Sequence, residues 1–285
     1  MATTKNAISE PAPAKVNLTL HVIGQRADGY HLLDSLAMFM ALGDVVRVVP
    51  ADHLSLTIDG PFSADLTTNN DNLVLQAALS FGITKGAAIN LTKNLPVASG
   101  IGGGSADAAA TLRALSRLWD VPMPNSEKIL SIGADVPVCL TTNLSHMRGI
   151  GDQIDILTTP KKLNILLVNP KVAVSTSQVF GGLSRKLNTP MGTNMPNPTD
   201  TDNWIKWLST QRNDLEKPAQ IAAPAIGEVL ASLRAQNGCL LARMSGSGAT
   251  CFAFFKDSST RDAAAVTLRQ SHKTWWITAT EEALI

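Results

Sequence analysis

The sequence predicts an α+β fold of two layers, and three observations carry that reading. Strand patterns and helix patterns are mixed along the chain without the strict β-α-β-α alternation of a doubly wound parallel sheet. A strand, a glycine loop and a helix follow one another over residues 87–119. In the last part of the chain, helical patterns at 221–235 and 261–270 are interleaved with apolar strands at 251–255 and 275–279.

Residues 1–11 read as a loose tail. From Ala14 to Val22 the chain alternates, with Ala14, Val16, Leu18, Leu20 and Val22 on one face and Lys15, Asn17, Thr19 and His21 on the other. On pattern alone this is a half-buried strand with one wet face. Asp28-Gly29 is a turn signal, followed by Tyr30, the only tyrosine, and His31. Residues 45–49 and 54–58 read as strands separated by Pro50 and Asp52, and 72–81 as a helix with Val74, Ala77, Ala78 and Phe81 on one face. A short helix at 126–132 begins with Ser126 as its expected cap. Asp135 stands in an apolar run beside Pro137. It can cap a helix, face a substrate, or do both with its two oxygens.

Residues 163–168 form a buried strand pattern, and a domain boundary is expected near residue 160, giving domains 1–160 and 161–285. Residues 174–180 lead into a short helix or turn. Residues 188–202 are rich in Pro, Asn, Thr and Gly and read as a long loop. Helices are expected at 203–208 and 221–235, the second with Ile226, Val229, Leu230 and Leu233 on its core side. A second glycine turn, Ser245-Gly246-Ser247-Gly248, reads as a hairpin into the strand at 251–255.

The strongest chemical signal is the glycine loop. After the alternating Ala87, Ile89 and Leu91 come Gly100, Gly102, Gly103, Gly104 and Ser105, then Ala108, Leu112, Leu115 and Trp119 at helical spacing. Such an order aims unpaired backbone N–H groups and the positive end of a helix dipole at one point. Glycines let an anion approach that backbone closely, and phosphate is the natural guest. The P-loop pattern is absent, because no lysine or arginine lies between Asn94 and Arg113. The dinucleotide fingerprint fails as well, since Ser105 stands where its last glycine is needed.

Composition narrows the partners. Of 285 residues, 45% are hydrophobic and 16% charged, with a net charge of +1. A core is easily built, but there is no electrostatic footprint for nucleic acid. No apolar run approaches the roughly 18 residues of a membrane span, and the first 13 residues lack the apolar core of a signal peptide. Cys139, Cys239 and Cys251 are widely spaced among apolar neighbours, which suits reduced thiols in a cytoplasmic protein better than disulfides or a zinc site.

Four motifs occur together and in order: Pro13-Ala14-Lys15-Val16-Asn17-Leu18 with Gly29-Tyr30-His31, Leu95-Pro96 through Gly104-Ser105, Gly133-Ala134-Asp135-Val136-Pro137, and Ser245-Gly246-Ser247-Gly248-Ala249. Together they resemble the galactokinase, homoserine kinase, mevalonate kinase and phosphomevalonate kinase (GHMP) superfamily, over residues 11 to 256. The resemblance implies an N-terminal domain like ribosomal protein S5 domain 2, a ferredoxin-like C-terminal domain, and ATP and substrate meeting in a cleft between them. Within the superfamily, the Lys15–Asn17 strand and the Asp-Gly-Tyr-His turn resemble the branch acting on 4-diphosphocytidyl-2-C-methyl-D-erythritol. That implies transfer of the ATP γ-phosphoryl, with Mg²⁺, to its 2-hydroxyl in non-mevalonate isoprenoid precursor biosynthesis.

Carried over residue by residue, the resemblance makes Lys15 and Asp135 catalytic. It makes Pro96, Val97, Ala98, Ser99, Gly100, Ile101, Gly102, Gly103, Gly104 and Ser105 the phosphate loop, with Lys93 and Asn72 at the adenine pocket. Asn17, Tyr30 and His31 line the cytidine side, with Phe180 as an opposing ring. Ala98 and Ser99 replace glycines frequent in the family, and Ser105-Ala106-Asp107 replaces its usual Ser-Ser or Ser-Asn, so the metal ligands stay unassigned. A monomer or weak homodimer is expected. The competing readings are another kinase or the decarboxylase of the same superfamily, a silent binding protein on the same fold, and a flavin or dinucleotide oxidoreductase.

Overall fold

The computed structural model describes residues 7–64, 66–160, 163–192 and 194–283. Its first half runs β1 (Ile8–Gln25), β2 (His31–Pro50), β3 (Ser55–Asp59), α1 (Leu73–Ser80), β4 (Ala87–Thr92), α2 (Gly103–Trp119), α3 (Ser126–Ile132), α4 (Val136–Thr141), β5 (Ser145–Gly149) and β6 (Gln153–Ile156). The second half runs β7 (Asn164–Asn169), α5 (Thr176–Gly181), α6 (Thr201–Ser209), α7 (Glu216–Ala222), α8 (Ala225–Arg234), β8 (Cys239–Met244), β9 (Cys251–Phe255), α9 (Ser258–Ser271) and β10 (Trp276–Thr280).

The chain divides into two units. One gathers the residues up to Ala14, Gly43–Val97 and Gly102–Thr141; the other gathers Lys15–Leu42, Ala98–Ile101 and the chain from Thr142 onward.

In the first unit the second half of β2 pairs antiparallel with β4, Val45 opposite Thr92, and β4 pairs parallel with β3. Helix α2 packs against α1 and α4. Its small residues Ala106, Ala108, Ala109, Ala110 and Ala114 are buried, which lets neighbouring elements approach closely. Arg113 anchors the helix: its Nε donates to Glu10 Oε2 at 2.9 Å and its Nη1 to Cys139 O at 3.0 Å.

In the second unit β10-β7-β9-β8 form an antiparallel sheet. With α8 before β8 and α9 before β10, the order is the β-α-β-β-α-β of a ferredoxin-like domain. Leu166, Val168, Ile226, Val229, Leu230, Leu233, Ala253 and Leu268 form its core. The first half of β2 pairs with β5, and β5 with β6.

Several expectations need correction. The tail of residues 1–11 is strand from Ile8 on, held by Glu10, which pairs with Arg113 and Arg117; residues 1–6 lie outside the described ones. The polar row of β1 is not wet: Lys15, Asn17, Thr19 and His21 are all buried. Segments 188–191 and 212–214 cover it, Leu20 N donating to Arg212 O and Asn188 Nδ2 to Val22 O. Asn125, not Ser126, caps α3, its side chain accepting from Lys128 N. The helix expected at 221–235 is two, α7 and α8, because Pro224 has no N–H to continue the first. The loop at 188–202 gives way to α6 at Thr201, capped by Asp200. The strand expected at 45–49 is only the end of β2, which starts at His31; the other expected helices and strands agree to within a few residues.

Candidate active site

In the first unit β4 ends at Thr92, and Lys93 to Leu95 lead into the glycine loop. Helix α2 opens at Gly103, with Gly102 as an N-cap that offers no side-chain hydrogen bond and no acid in the first turn. Its first internal bond is Ala106 N to Gly102 O. The N–H groups of Gly103, Gly104 and Ser105 precede that bond, so an anion fits them. Pro96 is buried, Val97 exposed, and Ala98 takes a left-handed φ of 49°.

Asp135 is half-buried in the turn before α4, and its carbonyl accepts from Cys139 N. A Cβ at Gly133 would lie 3.8 Å from Ser105 Oγ. The turn carrying Asp135 therefore runs beside the first turn of α2.

Two residues assigned to the adenine side are engaged with protein groups. Asn72 caps α1, accepting from Val74 N and donating to Thr67 O. Lys93 is buried, and its Nζ donates to Asp44 Oδ2 at 2.5 Å and Asp107 Oδ2 at 2.7 Å. Burial works against its charge, but the two carboxylates outweigh it and hold the ammonium above its ordinary value.

In the second unit Lys15 is buried on β1. Its backbone N donates to Ile101 O at 2.9 Å, which fixes the strand to the end of the glycine segment. Its Nζ donates to Asn17 Oδ1 at 2.9 Å, and Asn17 Nδ2 donates to Ser35 Oγ at 2.9 Å. Asn17 thus aims the lysine.

The second glycine turn, which joins β8 and β9 as the expected hairpin, is built into the same place. Ser245 Oγ accepts from Asn17 N and donates to Gly100 O, and Thr250 N donates to Ser99 O. A Cβ at Gly100 would stand 2.4 Å from Gly248 O, so only glycine allows this approach.

His31 and Phe180 meet, their rings stacked at 4.8 Å with an interplanar angle of 28°. The Nε2 of His31 is buried with no hydrogen-bond partner. Burial, then the charge of Lys186, hold its pKa below 6.5, so the ring is neutral at pH 7 and offers one donor and one acceptor. Tyr30 stands on the exposed turn beside them. The sequence reading missed Asp44, Ser35 and Asp107; nothing in their spacing marks them, because their partners lie far off in the chain.

Fold and loop define a class: small-molecule kinases. The model described as "GHMP kinases N terminal domain" matches residues 72–157, and "GHMP kinases C terminal" matches 199–274. The chain is 53% identical to a 4-diphosphocytidyl-2-C-methyl-D-erythritol kinase of Ruegeria pomeroyi, over 95% of this chain and 97% of that one. It is 52% identical to one from Cereibacter sphaeroides, over 93% and 96%. A crystal structure of 4-(cytidine 5'-diphospho)-2C-methyl-D-erythritol kinase superposes with a TM-score of 0.80 at 29% identity, covering 97% of this chain and all of that one. The chain belongs to the GHMP kinases, in the family of the 4-diphosphocytidyl-2-C-methyl-D-erythritol kinases. It is an ATP-dependent kinase with a small-molecule substrate.

Proposed function

We propose that Lys15 and Asp135 are the catalytic residues with which this protein phosphorylates 4-diphosphocytidyl-2-C-methyl-D-erythritol. The kinase moves the γ-phosphoryl of ATP to the 2-hydroxyl of that compound, a step in making isoprenoid precursors outside the mevalonate route. A tertiary hydroxyl attacks poorly until it is oriented and loses its proton. Asp135 accepts that proton as the oxygen bonds to phosphorus and ADP departs. Lys15, held by Asn17, is the basic partner in the pair.

The phosphate cradle is Pro96 to Ser105, and its donors are the free N–H groups at the start of α2. Mg²⁺ supplies charge neutralisation on the ATP phosphates when bound. Among the described residues there is no group of three acidic, histidine or cysteine side chains to hold a metal. That donor set fits an ion carried mainly by phosphate and water oxygens. Asn72 and Lys93 shape the nucleotide side by placing backbone. On the cytidine side, the unpartnered His31 Nε2 beside Phe180 suits the polar edge of a pyrimidine, and Tyr30 supplies the facing ring.

A boundary near residue 160 belongs to the same reading, with the phosphate loop before it and Phe180 of the cytidine side after it, while Tyr30 and His31 reach that side from before it. The family models ending at 157 and starting at 199 support it. The same reading takes the enzyme as a cytoplasmic monomer or weak homodimer, and a net charge of +1 gives it no pull on nucleic acid.

The observation that carries the catalytic assignment is the passage of the Gly133–Asp135 turn beside Ser105. Asp135→Asn tests it. Turnover should fall roughly 10²- to 10⁴-fold, the usual worth of a general base, while ADP affinity and the thermal midpoint stay near wild type. Normal turnover in the variant would return Asp135 to a helix-capping role.

A further inference from the structure

Three ionisable side chains are sealed beneath the glycine loop, and the mechanism uses none of them directly. Asp44 on β2, Lys93 after β4 and Asp107 just past the first turn of α2 have side chains only 0%, 3% and 4% exposed. Asp44 Oδ1 accepts from Asn94 N at 2.5 Å and from Leu95 N at 2.8 Å, the residues where the chain enters the loop. Its Oδ2 takes Lys93 Nζ, which reaches on to Asp107 Oδ2, where the chain leaves the loop. A Cβ at Gly103 would be 3.1 Å from the same Nζ. One ammonium therefore ties the two stems of the loop together, directly under the helix terminus.

For stability alone such a network is a poor choice. Burying charges is costly, and apolar residues of equal volume often serve as well or better. What the network adds is position, because hydrogen-bonded charges tolerate little displacement. Phosphoryl transfer is sensitive to displacement of that kind.

We propose that Asp44, Lys93 and Asp107 are positioning residues that hold the stems of the glycine loop at the spacing the ATP phosphates require. The proposal rests on the loop being the phosphate site. Asp107 Oδ1 is buried without a partner. Burial, with Asp44 nearby, outweighs Lys93 and pushes its carboxyl up to about 8. The Lys93 Nζ contact with Asp107 Oδ2 at 2.7 Å is one that an amide oxygen can also accept.

That makes Asp107 the residue to vary, since Asp44 and Lys93 keep each other when it changes. Asp107→Leu removes the link at similar volume; Asp107→Asn removes the charge and keeps an acceptor for Lys93. ADP is titrated calorimetrically into each full-length protein, and KM is measured for both substrates. Asp107→Leu should weaken ADP by about tenfold or more, in line with the cost of misplacing a bound group, with KM for the cytidine substrate within about twofold. Asp107→Asn should recover ADP affinity to within about threefold. Wild-type ADP binding by Asp107→Leu overturns the proposal, as do equal losses in both variants or equal rises in both KM values.

If Asp107→Leu does not fold, the double variant Asp44→Asn/Lys93→Met carries the test, and unchanged ADP binding there overturns it too. Gly103→Val separates the two readings. Unchanged ADP binding in that variant would remove the phosphate loop itself; weakened binding there, with Asp107→Leu normal, would remove only the network.

Discussion

Tyr30 is 58% exposed, and only its backbone is held, Arg26 N donating to Tyr30 O at 2.8 Å. A ring so placed contributes little to folding, which makes it a clean probe of binding. Stacking a base on an aromatic face is worth about 1–3 kcal/mol, or roughly 5- to 150-fold in affinity. Tyr30→Ala should weaken the cytidine substrate by that factor, leaving the thermal midpoint and the KM for ATP unchanged. Paired kinetics with each substrate varied in turn decide it, and no loss for either would put the base elsewhere. The family resemblance names Tyr30, His31 and Phe180 together. It did not show that His31 and Phe180 already stack on each other, a contact between residues about 150 positions apart. Lys15 was misleading in a different way. Alternation gives a polar face, and only the covering segments from 188–191 and 212–214 reveal that the face is enclosed.

Strand β1 carries a titratable group in that enclosed row. His21 faces Thr189 O through Nδ1 at 3.4 Å and accepts from Arg212 N through Nε2 at 3.3 Å. Burial first, then the charge of Arg212, lower its pKa below 6.5, against the smaller opposing pull of Asp214, Thr189 and Asp34. The unfolded chain therefore binds a proton that the folded strand refuses. Stability from His21 is complete above pH 6.5 and is lost as pH falls from there through the folded value. His21→Asn isolates this contribution. The wild-type minus variant difference in unfolding free energy, from denaturant titrations, should shrink between pH 7 and pH 5; a constant difference would refute a neutral, buried His21. Elements of this kind were unevenly legible. Helix α2 and strand β4 follow from period and glycine placement. Strand β5 was missed because Met147 is its one apolar residue beyond glycine, and β6 because its alternation runs for only the four residues Gln153 to Ile156. The break between α7 and α8 was readable at Pro224 and was overridden by an apolar periodicity that runs across it.

For the molecule as a whole, the instructive fact is how the chain is shared. Strands β1 and β2 each contribute residues to both units, and the glycine loop does the same with Ala98–Ile101. Ferredoxin-like topology could be anticipated from the family, but this interleaving could not be read from any local pattern. It sets a prediction for fragments. Residues 161–285 made alone lack Leu20 and Val22 of their own core, so the fragment should show no cooperative unfolding. Coexpression with 1–160 should restore a single transition in calorimetry; a cooperative transition in the isolated 161–285 fragment would contradict it.

The same sharing has a consequence for heredity. A gene can be cut and its pieces traded only where one cut separates one folding unit from another. Here the chain passes between the two units five times, so five joins would have to be cut at once to trade either unit as a block. Substitution in place leaves all five joins whole, and is the simpler route of change for a chain so shared.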